Sequence, residues 1–156
     1  MQAVMKSLND VKRMLLDGGY TLVIMSGEKL VTSRAKGIKP LLEAADMIDP
    51  QGTCFAADTV VGKAAAMLYA VIKADGVYGR VMSRPAVEIF EHCGIFCEYE
   101  TLTDNIINRS GSGLCPMEEA VRNIEDPLLA KLAIRQKLSA LQKKQVGGNN
   151  YDGKTD

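Results

Sequence analysis

Apolar residues recur along this chain with two different periods, and the switches between them mark out the elements. Val4, Leu8, Val11 and Leu15 fall three or four apart, on one face of a helix, and Gly18-Gly19 stops it. Residues 20–25 form a β-rich run, Ser26-Gly27-Glu28 a turn and residues 29–33 a returning run, which together predict a hairpin. Ile38, Leu41, Leu42 and Ala45 predict a short helix over 37–47 with Pro40 in its first turn, and Asp49-Pro50-Gln51-Gly52 breaks it.

Residues 53–57 read as a short buried strand that runs straight into a helix. Asp58 fits the N-cap between them, because its carboxylate can accept from the free N–H groups of the next turn. Val61, Ala64, Ala65, Leu68, Val71 and Ile72 form the core stripe of that helix, and Ala64-Ala65-Ala66 lets it lie close to a sheet. Asp75-Gly76 ends it. A strand over 77–82 follows, then a helix over 85–92 with Pro85 near its start and Gly94 past its end. In the next strand, 95–102, Ile95, Cys97 and Tyr99 point one way and Glu98 and Glu100 the other. The Gly/Ser-rich stretch 108–114 is a loop that opens a helix over 115–124. Asp126-Pro127 starts a last helix carrying Leu128, Ile134, Leu138 and Leu141. Residues 145–156 offer almost nothing apolar and predict a disordered tail, which leaves 1–144 as one domain. Strands alternating with helices imply an α/β fold: a mixed sheet with an N-terminal hairpin, covered on both faces and joined by right-handed crossovers.

Charge then narrows the function. Lys+Arg and Asp+Glu both total 19, so the formal net charge is zero, which argues against broad nucleic-acid binding driven by phosphate neutralisation. No apolar run approaches the roughly 18 residues of a membrane span. The N-terminus alternates apolar and charged residues (Met5, Lys6, Leu8, Lys12, Arg13) and is not a signal peptide. The expected location is the cytoplasm, with Cys54, Cys93, Cys97 and Cys115 as free thiols.

The hairpin, the FAADTVVGKAAA junction, the YGRVMSRPAVEIFE unit and the late GLCPMEEAV together resemble a small uncharacterised bacterial family within the cytidine-deaminase-like superfamily. The resemblance spans residues 1–140 and is most specific in DTVVGKAA and CPME. It implies a three-layer α/β/α sandwich in which two helices face each other at one sheet edge, where relatives hold zinc. The zinc enzymes carry His or Cys, one residue, then Glu on the first helix, and Pro-Cys-x-x-Cys on the second. Here the first junction reads Asp58-Thr59-Val60 and the second Cys115-Pro116-Met117-Glu118. A catalytic zinc needs about three protein ligands. The expectation is therefore the fold without metal or other cofactor.

The candidate site is then the pair of helix starts. Cys115 fits an N-cap, where the partial positive charge of a helix favours a thiolate, although Glu118 opposes it. A buried, inert cysteine is the simpler alternative. Asp58 is a cap first and a site residue second. Lys63, a cation in the first turn of an apolar helix, opposes the dipole unless it pairs with Asp58 or reaches a ligand's phosphate or carboxylate; the alternative is a solvated surface lysine. Gly62-Lys63 is no P-loop, since the glycine that motif needs is Ala57 here. Arg109, Ser110, Ser112 and Gly113 offer charge, hydroxyls and flexible backbone N–H groups suited to an anion. His92 with Cys93 and Cys97 straddles a turn and reads as structural. The leading expectation is a homodimeric, zinc-free domain that binds a small anionic metabolite or nucleotide between the helix starts. An enzyme using Cys115 for acyl or sulfur transfer, and a regulatory or structural oligomer, are the alternatives.

Overall fold

A computed structural model describes residues 2–151, with side chains from 7 to 144. Its elements run α1 (Gln2–Gly18), β1 (Leu22–Ser26), β2 (Lys29–Ser33), α2 (Lys39–Met47), β3 (Cys54–Val61), α3 (Lys63–Val71), β4 (Gly76–Ser83), α4 (Arg84–Cys93), β5 (Phe96–Thr103), α5 (Pro116–Ala120) and α6 (Pro127–Tyr151). One five-stranded mixed sheet has the order β2-β1-β3-β4-β5. The hairpin β1–β2 and the pair β1–β3 are antiparallel; β3, β4 and β5 are parallel. Gly27, at φ +59, makes the tight hairpin turn that a side chain would strain. This is the α/β sandwich that the alternating pattern predicts.

The two-residue period of the strands divides the core in two. Val23, Phe55, Ala57 and Tyr78 meet Leu8, Val11 and Leu15 of α1 on one face. Ile24, Cys54, Ala56 and Val77 lie on the other, under α2, α3, α4 and α6. α3 is the hub of this second layer. Ala64 to Tyr69 are all buried, because the sheet, α4 and α6 enclose this helix on several sides.

Three expectations change. β3 does not stop at Ala57 but runs on through Val61, carried by the β-branched run Thr59-Val60-Val61. Asp58 is therefore a strand residue opposite Leu22 and Gly79, not a helix cap; the N-cap of α3 is Gly62. The helix expected over 115–124 is the five residues Pro116–Ala120, followed by turns at Arg122 and Ile124. α6 extends to Tyr151, into the stretch expected to be disordered, and 152–156 lie outside the described residues. No described helix is long and apolar enough to cross a membrane.

Candidate functional site

Gly62 brings no side chain to the start of α3, so the cap comes from another element. The Glu118 carboxylate, in the first turn of α5, accepts from the backbone N–H of Lys63 (2.8 Å) and of Ala64 (2.9 Å). Glu118 is only 9% exposed. Burial raises its pKa, and the two N–H groups with the Lys63 charge pull it back. The first turns of α3 and α5 thus do face each other, joined by one carboxylate at a position that favours negative charge. A side chain at 62 would displace this carboxylate: a Cβ there would sit 2.5 Å from Glu118 Oε1.

Lys63 closes a second fastening. Its side chain is 12% exposed, and its Nζ donates to the Arg122 carbonyl (3.1 Å) and to Glu125 Oε2 (3.2 Å). It does not pair with Asp58.

Beside this double clasp lies a cleft of about 790 Å³. Lys63, Pro85 and Asn105, each just beyond the C-terminal end of a parallel strand, contribute to its lining. Leu114 and Pro127 add apolar surface, and the buried Met67 of α3 and Ile89 of α4 border it. α4 gives one wall with Glu88, His92 and Cys93, and α5 with its following turn gives Glu118, Glu119 and Arg122. A crevice outside the carboxyl ends of parallel strands is where open α/β sheets bind ligands.

Of the residues singled out from sequence, Lys63 and Glu118 line this cleft; Asp58, Cys115, Arg109, Ser110, Ser112 and Gly113 do not. The loop turns back on itself. Asn108 N–H donates to the Gly113 carbonyl, its Oδ1 accepts from Ser112 N–H and Ser110 Oγ, and Ile107 bridges Leu114. The Ser110 and Ser112 hydroxyls and the Ser112 N–H are thus bonded within the loop, while Arg109 is exposed. Cys115 is the N-cap residue of α5 but makes no capping hydrogen bond, and it packs half-buried against the core. Its N–H donates to the Ile106 carbonyl (3.0 Å), and Pro116 follows it at the first helical position.

Asp58 has a different partner. Its carboxylate turns inward and accepts from the hydroxyl of the fully buried Tyr69 at 2.7 Å, tying β3 to α3. Burial pushes Asp58 up to about 6, while Tyr69 and the backbone N–H groups of Val60 and Thr59 hold it down. Burial first, and then the Asp58 charge, raises the Tyr69 phenol well above its ordinary value. Zinc does not fit these residues: Asp58 is taken by Tyr69, Glu118 by two amides, and among the described residues no three His, Cys, Asp or Glu side chains converge.

Sequence reasoning set aside the α4 wall, reading His92 and Cys93 as structural. The signal was the spacing of Glu88 and His92, one turn apart on the polar face of a helix whose other face buries Ala86, Ile89 and Phe90. Tyr69, a phenol in an otherwise aliphatic buried helix, was the clue to the partner of Asp58.

The model of the family TM1506, domain of unknown function (DUF1893), matches residues 10–138, and the chain belongs to that family. A crystal structure of a DUF1893 family protein (TM1506) from Thermotoga maritima is similar to it, with a TM-score of 0.74 and 27% identity over 86% of this chain and 90% of that one. No curated protein matches the chain.

Proposed function

We propose that this DUF1893 domain binds a small molecule in the cleft between α3, α4 and α5, as a deaminase-like α/β/α domain that works without zinc. The observation that carries the reading is the convergence of all three parallel-strand ends on one cleft of ligand size. An anion at the start of α3 is the finer form of the reading, and it has a specific obstacle. Glu118 already fills the two N–H groups there, and Glu125 already pairs with Lys63. A Cys115 enzyme has only the N-cap position of Cys115 in its favour, and the only histidine, His92, lies on the α4 wall of a cleft that Cys115 does not line.

Methyl NMR with a mixed pool of metabolites tests the reading. Saturable shifts are expected at Met67, Ile89 and Leu114. Shifts confined to methyls remote from the cleft would overturn it. Two further parts of the reading are a homodimer, supported by the exposed Leu128, Leu129 and Leu132 on α6, and a cytoplasmic location, supported by four free cysteines. Native mass spectrometry of the purified chain is expected to show a dimer with no zinc; a monomer, or one zinc per chain, would refute the corresponding part.

A further inference from the structure

The sheet ends in two edge strands, β2 and β5, and they offer different things to a neighbour. An edge of unpaired N–H and C=O groups invites another strand unless something on it forbids the pairing. Hydrogen bonding fixes which groups of β2 are free. Thr59 N–H donates to the Thr21 carbonyl (3.1 Å) and Gly27 N–H to the Thr53 carbonyl (2.9 Å), so β1 turns Thr21, Val23, Met25 and Gly27 toward β3. Leu22, Ile24 and Ser26 are left for β2, where their partners are Ser33, Val31 and Lys29. Leu30 and Thr32 therefore aim both of their backbone groups away from the sheet. Their side chains share the α1 face, since Leu30 stands opposite Met25, while Val31 packs against the core of the other face. Thr32 is exposed, and Leu30 is 51% exposed at this edge.

Resting on the homodimer part of the proposed function, we infer that β2 pairs with β2 of a second copy of this chain, antiparallel about a two-fold axis at Val31. In this register Leu30 and the partner's Thr32 exchange N–H···O bonds, as do Thr32 and the partner's Leu30, and the two sheets become one. Leu30 also lies diagonal to the partner's Leu30, which covers exposed apolar surface. The charges fit the same register. Just beyond the strand ends, Glu28 stands opposite the partner's Arg34, and Arg34 opposite the partner's Glu28. Glu28 is exposed. Arg34 is already placed, donating to the Gly18 carbonyl (2.7 Å) and lying 4.3 Å over the Tyr20 ring, with further guanidinium N–H groups to give a carboxylate. The other edge lacks this fit. Centred on Tyr99, β5 would set Glu98 opposite the partner's Glu100; centred on Glu100, it would set that residue opposite itself. Like charges directly across a strand pair are destabilising.

Sedimentation and native mass spectrometry of the full chain test this. Glu28→Arg and Arg34→Glu each turn both end pairs repulsive and are expected to weaken the dimer about tenfold. In a mixture, a chain with two arginines at these places meets one with two glutamates, so the mixed dimer should recover wild-type strength, which loss of folding could not produce. Val31→Cys should form a disulfide-linked dimer under air oxidation, because facing residues of a non-hydrogen-bonded pair have Cα atoms about 4.5 Å apart, within disulfide reach. Dissociation unchanged by either charge swap, or Val31→Cys no more linked than the wild type with its exposed Cys93, would overturn the β2 pairing. A dimer that Leu129→Glu separates while the charge swaps do not would also overturn it, and would leave the homodimer standing with α6 as its interface. A wild-type chain that stays monomeric at high micromolar concentration would remove both.

Discussion

Gly62→Ala is expected to lower stability by about 2–3 kcal/mol, and to cost nothing once Glu118 is gone. The backbone at Gly62, φ −99 and ψ −170, is extended and open to any residue, so the penalty is not conformational. It comes from the added methyl, which would stand 2.5 Å, 2.6 Å and 2.7 Å from the three terminal atoms of Glu118. Glu118 is a flexible side chain and can swing away, but doing so breaks its hydrogen bonds to Lys63 and Ala64 N–H. Losing a helix cap costs about 0.5–2 kcal/mol. Hydrogen bonds to a charged group are worth about 1.5–3 kcal/mol each, reduced here because water from the cleft reaches the freed N–H groups. Glu118→Ala should cost a similar amount by removing the same bonds. In that background the three atoms nearest the Gly62 methyl are gone, and the lower entropy of the unfolded chain makes Gly62→Ala neutral or stabilising by about 0.4–1 kcal/mol. Urea unfolding of the four-member cycle measures this. Additive losses would show that Glu118 does not cap α3 in solution.

This clasp also marks the limit of what the amino-acid order reveals. Periodicity located the elements, because apolar spacing marks the positions that are buried: Leu8, Val11 and Leu15 against one side of the sheet, and the Ala64-Ala65-Ala66 helix against the other. It found the two junctions as well, since Pro116 and the small residues of α3 are local signals. Partner choice is not a local property. Asp58 before an apolar stripe reads as a cap by every short-range rule, yet Tyr69, eleven residues on, claims its carboxylate, and the cap arrives from Glu118, more than fifty residues away. Lys63 was legible as a cation that either finds a partner or is a solvated surface lysine; that the partner is Glu125 depends on how α5 and α6 fold back over α3. The cleft was missed for the same reason. Its walls are the polar faces of α4 and α5, which in sequence look like any solvated helix surface.

The Asp58–Tyr69 pair should make stability fall as pH rises from about 4 to 7. Burial raises the folded-state pKa of Asp58 to about 6 from 3.8. An acid raised in this way favours the folded state fully below the unfolded value, and that contribution is lost as pH climbs through about 6. A shift of this size corresponds to at most about 3 kcal/mol between the two ends of the window. Glu118, also raised, acts in the same direction, and Asp46, lowered by its hydrogen bonds to Lys131 and Arg135, acts in the opposite one below the carboxylate range. Comparison with Asp58→Asn cancels both. The amide keeps an acceptor for Tyr69 and cannot ionise, so the wild-type chain should lose up to about 3 kcal/mol relative to it between pH 4 and pH 7. Tyr69→Phe gives the complementary result. It removes the donor at 2.7 Å and leaves a carboxylate without its strongest partner. The cost is expected to be about 2–3 kcal/mol at pH 7, where Asp58 is charged, and about 1 kcal/mol at pH 4, where the neutral carboxyl needs the phenol less. Urea denaturation of the three chains across this range decides the matter. Parallel curves for wild type and Asp58→Asn would mean that Asp58 ionises in the folded protein as freely as in the unfolded one, and that its inward contact with Tyr69 does not persist in solution.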